Sequence, residues 1–269
     1  MYQGTIRLSN GLVVPRLALG TYLIPEEQTA EAVRNALELG YRHIDTAQAY
    51  ENEHGVGEGI RASSVPRENI FVTSKVLAEI KDHDQAARSI DESLRTANLD
   101  RFDLMLIHCP QPWDEYGSEY RYFEENRAVW KALEEAYRDG KVRSIGVSNF
   151  SIEDLESLAV TANIRPMVNQ IPVFIGYTDL ELIRYCQDRG IVVEAYSPLG
   201  HGDVFKNQAL LPYAEKYRVS VAQLCIRYTL QLDAISLPKT TSPDRMRQNA
   251  SLDFVISDED MEKLKSFAW

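Results

Sequence analysis

Four polar residues could do chemistry together: an acid at Asp45, a phenol at Tyr50, an amine at Lys75 and an imidazole at His108. Asp45, Lys75 and His108 each close a short apolar run, and a strand rarely lasts beyond about 4–8 residues. Strands are therefore expected over 42–45, 70–75 and 103–108, with Tyr50 in the connection after the first. If these strands are parallel neighbours, all four groups open onto one face. A tyrosine has an ordinary pKa of about 10 and is a poor acid at neutral pH. A nearby ammonium favours the phenolate, so Lys75 is expected to lower the pKa of Tyr50. Asp45 is expected to hold Lys75 in place and keep it protonated, while His108 donates a hydrogen bond toward whatever Tyr50 faces. Such a set suits the protonation of an oxygen on which negative charge develops, as in reduction of a carbonyl by hydride. Taken singly, each residue has a plainer reading, as a salt bridge, a core histidine or a packing aromatic. Their joint placement on three successive strand ends is what favours the chemical one.

The elements that must position them follow a sustained alternation. Short apolar runs at 5–8 and 12–14 flank Ser9-Asn10-Gly11, a hairpin signal. Residues 17–20 read as a buried strand, and a helix over 26–39 stops at Gly40, in the C′ position that favours glycine. Strands at 42–45, 70–75, 103–108, 142–147 and 167–171 precede helices at 53–62, 83–97, 122–138, 151–162 and 178–188. Strand 191–195 leads into a loop and helical material to about Gln231. Strand 234–237 precedes a helix at 243–249, and a last helix covers about 258–266. Eight strands, each followed by a helix, with no break in composition, predict one (β/α)8 barrel domain over 1–269. Its active site belongs at the C-terminal ends of the strands. Gly55-Val56-Gly57-Glu58-Gly59 looks like a dinucleotide fingerprint, but it does not follow a strand, so the required context fails.

Composition narrows the partners. The 269 residues carry 29 Lys and Arg against 40 Asp and Glu, a net charge of −11. That disfavours nucleic acid and acidic membranes as partners, and any anion must be held by a local basic site. One such site is visible. Ser242-Pro243 reads as an N-cap followed by proline at the first helical position, and Lys239 to Ala250 holds three cations and one acid. No apolar run approaches the ~20 residues that span a bilayer, and the N-terminus has no signal-peptide pattern. Cys109, Cys186 and Cys225 lack metal-like spacing and are expected to be reduced thiols of a cytoplasmic protein. His43, His54, His83 and His201 lack ligand-like spacing, so no metal is expected.

The chain resembles the aldo-keto reductase family, of the short-tailed microbial carbonyl and diketo-gluconate reductase type. The residues that carry this are Gly-Tyr-Arg-His-Ile-Asp-Thr-Ala-Gln-Ala-Tyr-Glu-Asn-Glu (40–53), Phe-Val-Thr-Ser-Lys (71–75) and Asp-Leu-Met-Leu-Ile-His-Cys-Pro (103–110). Gly-Lys-Val-Arg-Ser-Ile-Gly-Val-Ser-Asn-Phe (140–150), Asn-Gln (169–170), Ala-Tyr-Ser-Pro-Leu-Gly (195–200) and Leu-Pro-Lys-Thr (237–240) follow in family order. The resemblance implies an NADPH-dependent reductase of aldehydes and ketones, with Asp45, Tyr50, Lys75 and His108 as catalytic tetrad and Tyr50 as general acid. It implies that Ser148, Asn149 and Gln170 hold the nicotinamide carboxamide, with Tyr196 stacked on the ring. Thr21, Tyr22 and Asp45 would adjoin the cofactor, and Ser197, Leu199 and Gly200 would lie in the loop over its pyrophosphate. Lys239, Thr240 and Arg245 would take the 2′-phosphate of NADP+, and Gln248 and Asn249 the adenine. A small carbonyl substrate would meet Tyr22, Tyr50, His108 and Cys109, and the protein is expected to act as a monomer.

The sequence departs from the family at the expected substrate pocket. Cys109 stands where many relatives carry tryptophan, Tyr22 replaces another, and Val76 begins a stretch where a third is frequent. With the chain ending at Trp269, these features suggest an open pocket for small polar carbonyls. Trp113, Trp130 and Trp269 read as packing or loop residues, although Trp113 follows the His108 strand and could reach that pocket. The alternative from another class is an NADPH-binding sensor or structural barrel without important turnover, which an incomplete tetrad would have favoured.

Overall fold

In a computed structural model that describes residues 1–267, eight parallel strands form a barrel. An antiparallel hairpin precedes them, β1 (Thr5–Arg7) and β2 (Val13–Pro15). The barrel strands are β3 (Leu19–Gly20), β4 (His43–Asp45), β5 (Phe71–Val76), β6 (Leu104–Ile107), β7 (Ile145–Ser148), β8 (Val168–Pro172), β9 (Val192–Tyr196) and β10 (Ile235–Leu237). Each pairs with the next in chain order. A bridge between Leu17 and Ser236 joins the first to the last, with Ala18 N–H donating to the Ser236 carbonyl at 3.0 Å and Ser236 N–H to the Arg16 carbonyl at 2.8 Å. The hairpin serves the N-terminal end of the barrel, where the Pro15 carbonyl meets His43 Nδ1 at 3.2 Å.

Strands of such a barrel are covered on both faces, by the interior and by the helix layer, so they read as continuous apolar runs. All six residues of β5 are buried. The helices lay one apolar stripe each on this wall: α1 (Glu26–Glu38) buries Ala32, Val33, Ala36 and Leu37, at the i, i+1, i+4, i+5 spacing of one helical face. Each large aliphatic side chain so buried is worth about 1.5–3 kcal/mol. α2 (Glu53–Ala62) carries the glycines of the false fingerprint, and they serve packing. A Cβ at Gly57 would lie 1.7 Å from the Ala97 carbonyl oxygen, and one at Gly59 would lie 2.6 Å from that of Ala30. The glycines let α2 close on its two neighbours.

The remaining helices are α3 (His83–Ala97), α4 (Phe123–Arg138), α5 (Ile152–Ala159), α6 (Leu180–Asp188), α7 (Leu211–Tyr217), α8 (Val221–Gln231), α9 (Pro243–Asn249) and α10 (Asp258–Lys265). The expected helix from 151 stops at Ala159, three residues early. Its start is fixed by a Ser151–Asp154 capping box. The expected strand from 142 begins at Ile145, with Val142 making a lone bridge to Phe102. Between β9 and α7 the chain makes short 3-10 turns at Gly200–Lys206 and Gln208–Leu210. Trp269 lies outside the described residues. No described helix is long and apolar enough to cross a membrane.

Candidate active site

The register of β4, β5 and β6 brings the sequence-selected residues to one end of the barrel. Asp45 pairs with Thr73, Val76 with Ile107, and the His108 amide donates to the Val76 carbonyl at 3.1 Å. Lys75 has no exposed surface. Its Nζ donates to Asp45 Oδ1 at 2.7 Å, to the Thr46 carbonyl at 2.8 Å and to Tyr50 Oη at 3.3 Å. An ammonium has three hydrogens, and here all three are placed. Tyr50 therefore accepts from Lys75, and its own O–H is left to point elsewhere.

The turn that holds Tyr50 is fixed from both sides. Gln48 donates to the Ser89 carbonyl and Ser93 Oγ, and accepts from the Leu77 amide at 2.9 Å. Asn52 is buried, accepts from Thr46 Oγ1 at 2.8 Å and donates to the Thr21 and Ile24 carbonyls. Between them Glu51 adopts a left-handed conformation at φ 55°. Sequence reasoning passed over Gln48 and Asn52. The signal was two amide side chains flanking Tyr50, the type of group that completes irregular backbone.

The electrostatics correct one expectation. Burial is the largest influence on Tyr50 and raises its pKa above the ordinary value, and the opposing pull of Lys75 does not overcome it. The phenol is thus kept protonated, and Lys75 limits the rise. For Lys75 burial is again the largest influence and lowers its pKa, but Asp45 and Tyr50 together leave it raised. His108 is pushed down to about 3, by burial first and Lys75 second, so the imidazole is neutral. Its Nδ1 is buried with no partner among the described residues. Its ring stands edge-on to Tyr50 at 5.6 Å and to Trp113 at 5.3 Å between centroids.

Asp45, Tyr50 and His108 line a cavity of about 1040 Å³. The same cavity takes in Tyr22, Ser148, Asn149, Gln170, Tyr196, Ser197 and Leu199, together with Lys239, Thr240, Arg245, Gln248 and Asn249. On its floor Tyr196 Oη donates to Asn149 Oδ1 at 2.8 Å. Asn149 Nδ2 donates to the His108 carbonyl and to Ser148 Oγ, and Ser148 Oγ donates to the Gln170 carbonyl. At the cationic end Arg247 pairs with Asp244 at 2.7 Å, whereas Lys239 and Arg245 are exposed and have no ion pair among the described residues. The Ser242 cap of α9 takes the Arg245 amide at 3.4 Å, so an anion there would meet side-chain cations more than free helix amides.

Besides Lys75, which lies behind Tyr50, three residues expected to contact cofactor or substrate do not reach the cavity. Thr21 is buried, with its hydroxyl and amide both donating to the Asp45 carbonyl, so it braces the strand. Gly200 lies behind the wall, where a Cβ would come within 3.1 Å of the Phe174 ring. Cys109 is fully buried, and burial pushes its thiol up to about 11. Val76, also linked to the pocket, is fully buried in β5. Beside Tyr50 and His108 the cavity is walled instead by Tyr22 and Trp113, 48% and 43% exposed, and Leu23 lines it too.

The dinucleotide-sized cavity, with polar floor and free cations, agrees with what comparison finds. The profile of the Aldo/keto reductase family matches residues 16–268. Glyoxal reductase of Bacillus subtilis is 42% identical, covering 97% of this chain and 91% of its own. An aldo-keto reductase from a Medee basin deep-sea metagenome superposes with a TM-score of 0.91 at 34% identity, over 98% of this chain and 94% of that one. The Bombyx mori aldo-keto reductase, solved in complex with NADP, gives 0.90 at 35% identity, over 100% and 94%. The chain belongs to the aldo/keto reductase family, whose members are NADP(H)-dependent oxidoreductases.

Proposed function

We propose that this protein reduces small aldehydes and ketones, dicarbonyls such as glyoxal among them, with Tyr50 as proton donor and NADPH as reductant. The observation that carries the reading is the placement of hydrogens around Tyr50. Lys75 spends its three on Asp45, Thr46 and Tyr50, so the phenol O–H remains free for a carbonyl oxygen. Neutral His108, on the same cavity, has one N–H with which to orient that oxygen. Bound NADPH supplies the hydride. Ser148, Asn149 and Gln170 would hold the carboxamide, and Tyr196, tied down by Asn149, would offer its ring face. Lys239 and Arg245 would take the 2′-phosphate, with Thr240, Gln248 and Asn249 beside them and Ser197 and Leu199 over the pyrophosphate.

As the lysine draws on the phenol oxygen, loss of the proton leaves a phenolate whose charge a buried ammonium already faces. Such preorganised charge acts more strongly away from water. The name of the Bacillus relative supports small dicarbonyls as substrates. The test is NADPH consumption with glyoxal and a short aldehyde, by the unaltered protein and by Tyr50→Phe. Turnover should fall by roughly 10²–10⁴-fold in the variant, with NADPH affinity nearly unchanged. Near-full activity in Tyr50→Phe would sink the acid assignment, and no NADPH consumption by the unaltered protein would sink the reading as a whole.

A further inference from the structure

Beneath the cavity floor lies a buried carboxyl that the proposed reaction does not use. Glu194, on β9, has no exposed surface. It sits between Gln170 on β8 and Ile235 on β10, and its Oε2 accepts from Gln170 Nε2 at 2.8 Å. The same Nε2 donates to Asp45 Oδ2 at 2.8 Å. An amide nitrogen has two hydrogens, and two carboxyls take them. Turning the amide over would set its oxygen against Asp45, whose other oxygen is ion-paired with Lys75. The Gln170 orientation is therefore unambiguous: its carbonyl oxygen, Oε1, accepts from no donor among the described residues, and Gln170 lines the cavity.

Glu194 Oε1 is buried and has no hydrogen-bond partner among the described residues. Across the barrel, His43 Nε2 is 3.9 Å from Glu194 Oε1 and 3.0 Å from Thr73 Oγ1. His43 Nδ1 meets the Pro15 carbonyl, which can only accept, so Nδ1 carries the hydrogen and Nε2 is bare. Burial foremost, then Asp45, raises Glu194 to about 8, with the Gln170 hydrogen bond and then Lys75 opposing. A neutral carboxyl can sit beside Asp45 where a second carboxylate would repel it.

We propose that Glu194 is a positioning residue for the cofactor carboxamide: with Asp45 it takes both hydrogens of the Gln170 amide and so fixes the Gln170 carbonyl as an acceptor for the carboxamide NH2. This rests on the cavity holding NADP(H). At the same time Gln170 ties the cofactor floor to the carboxylate that holds Lys75. Sequence reasoning carried Gln170 but not the acid two residues before Tyr196.

The test compares the affinity of NADP+ with that of its 3-acetylpyridine analogue, in which a methyl ketone replaces the carboxamide and no N–H2 is offered. Binding is read by titration calorimetry, so turnover is not needed. The unaltered protein should prefer NADP+ by about five- to tenfold, the scale of one hydrogen bond. In Glu194→Met one Gln170 hydrogen loses its acceptor, the amide is held only through its bond to Asp45 and can swing about it, and the ratio should fall. Glu194→Gln restores an acceptor and should restore the preference, a rescue that general loosening of the barrel would not show. Glu194→Ala gives a second reading, without added bulk, if the methionine variant does not fold. An unchanged ratio in Glu194→Met or Glu194→Ala, or a ratio near one in the unaltered protein, would overturn the inference while leaving NADP+ binding intact. Failure of the unaltered protein to bind either dinucleotide would instead overturn the cofactor reading beneath it.

Discussion

The two ends of the cavity handle positive charge in opposite ways. At the barrel end Lys75 is wholly buried and every hydrogen it owns is bonded. At the far end Lys239 and Arg245 stand in solvent with no ion pair among the described residues. The difference follows from solvent access. A buried ammonium without partners would cost several kcal/mol, so its partners must belong to the fold. An exposed guanidinium is satisfied by water and can wait for an anion. The proposed chemistry is thus built into the core, while the proposed recognition of the cofactor is left to a loop and a short helix.

Deleting one charge at each end breaks this comparison most sharply. Lys75→Met leaves Asp45 buried without its cation, so it should cost about 3–5 kcal/mol of stability. It should also lower turnover at least as far as Tyr50→Phe, because Tyr50 loses the partner that limits the rise of its pKa. Thermal or urea unfolding together with NADPH consumption checks both. A variant that stayed fully stable would show that the barrel end does not depend on that pairing.

Within the barrel end, Glu194 offers a comparison by pH. Its pKa is about 8 in the fold against 4.5 for an ordinary glutamate. The folded state then holds a proton that the unfolded chain sheds between those values. The stability linked to it is complete below 4.5 and is lost as pH rises through about 8. Glu194→Gln cannot titrate, so it should match the unaltered protein near about pH 5 and exceed it by a few kcal/mol near about pH 9. Parallel unfolding curves for the two proteins across that range would show that Glu194 carries no such proton.

Arg245→Ala at the other end should leave stability within about 0.5 kcal/mol, as for most surface changes. It should weaken NADPH binding by roughly 1.5–3 kcal/mol, the scale of hydrogen bonds to a charged group, and affect NADH far less. Equal losses for both dinucleotides would show that Arg245 does not read the 2′-phosphate.

Most of this architecture was legible in the chain, for identifiable reasons. Apolar runs ending in Asp45, Lys75 and His108 announced the strand ends because a barrel strand must be covered on both faces. What escaped was decided by competition or by direction. Tyr50 feels burial and Lys75 with opposite signs, and only the depth of the site shows which wins. Cys109 escaped through direction: just past the end of β6 the chain bends at His108, and while His108 lines the cavity Cys109 is fully buried. Glu194 was visible as an acid inside the run Ile191 to Tyr196, but its partners come from β4 and β8.

That misread position supplies the smallest and most selective test. With Cys109 behind the wall, a tryptophan there would overpack the core, and it should cost about 1–3 kcal/mol of stability without lining the substrate end. Trp113 holds the wall position, edge-on to His108 at 5.3 Å and half exposed to the cavity mouth. A substrate with an apolar or aromatic tail could lie along that indole, whereas glyoxal has nothing to lay there. Trp113→Ala should therefore raise KM for an aromatic aldehyde by about two- to tenfold, the worth of an aromatic contact of about 0.5–1.5 kcal/mol. KM for glyoxal and NADPH affinity should stay near their starting values. Steady-state kinetics on both aldehydes decide it. If Cys109→Ser shifts the ranking and Trp113→Ala does not, the wall beside His108 is built from position 109 after all.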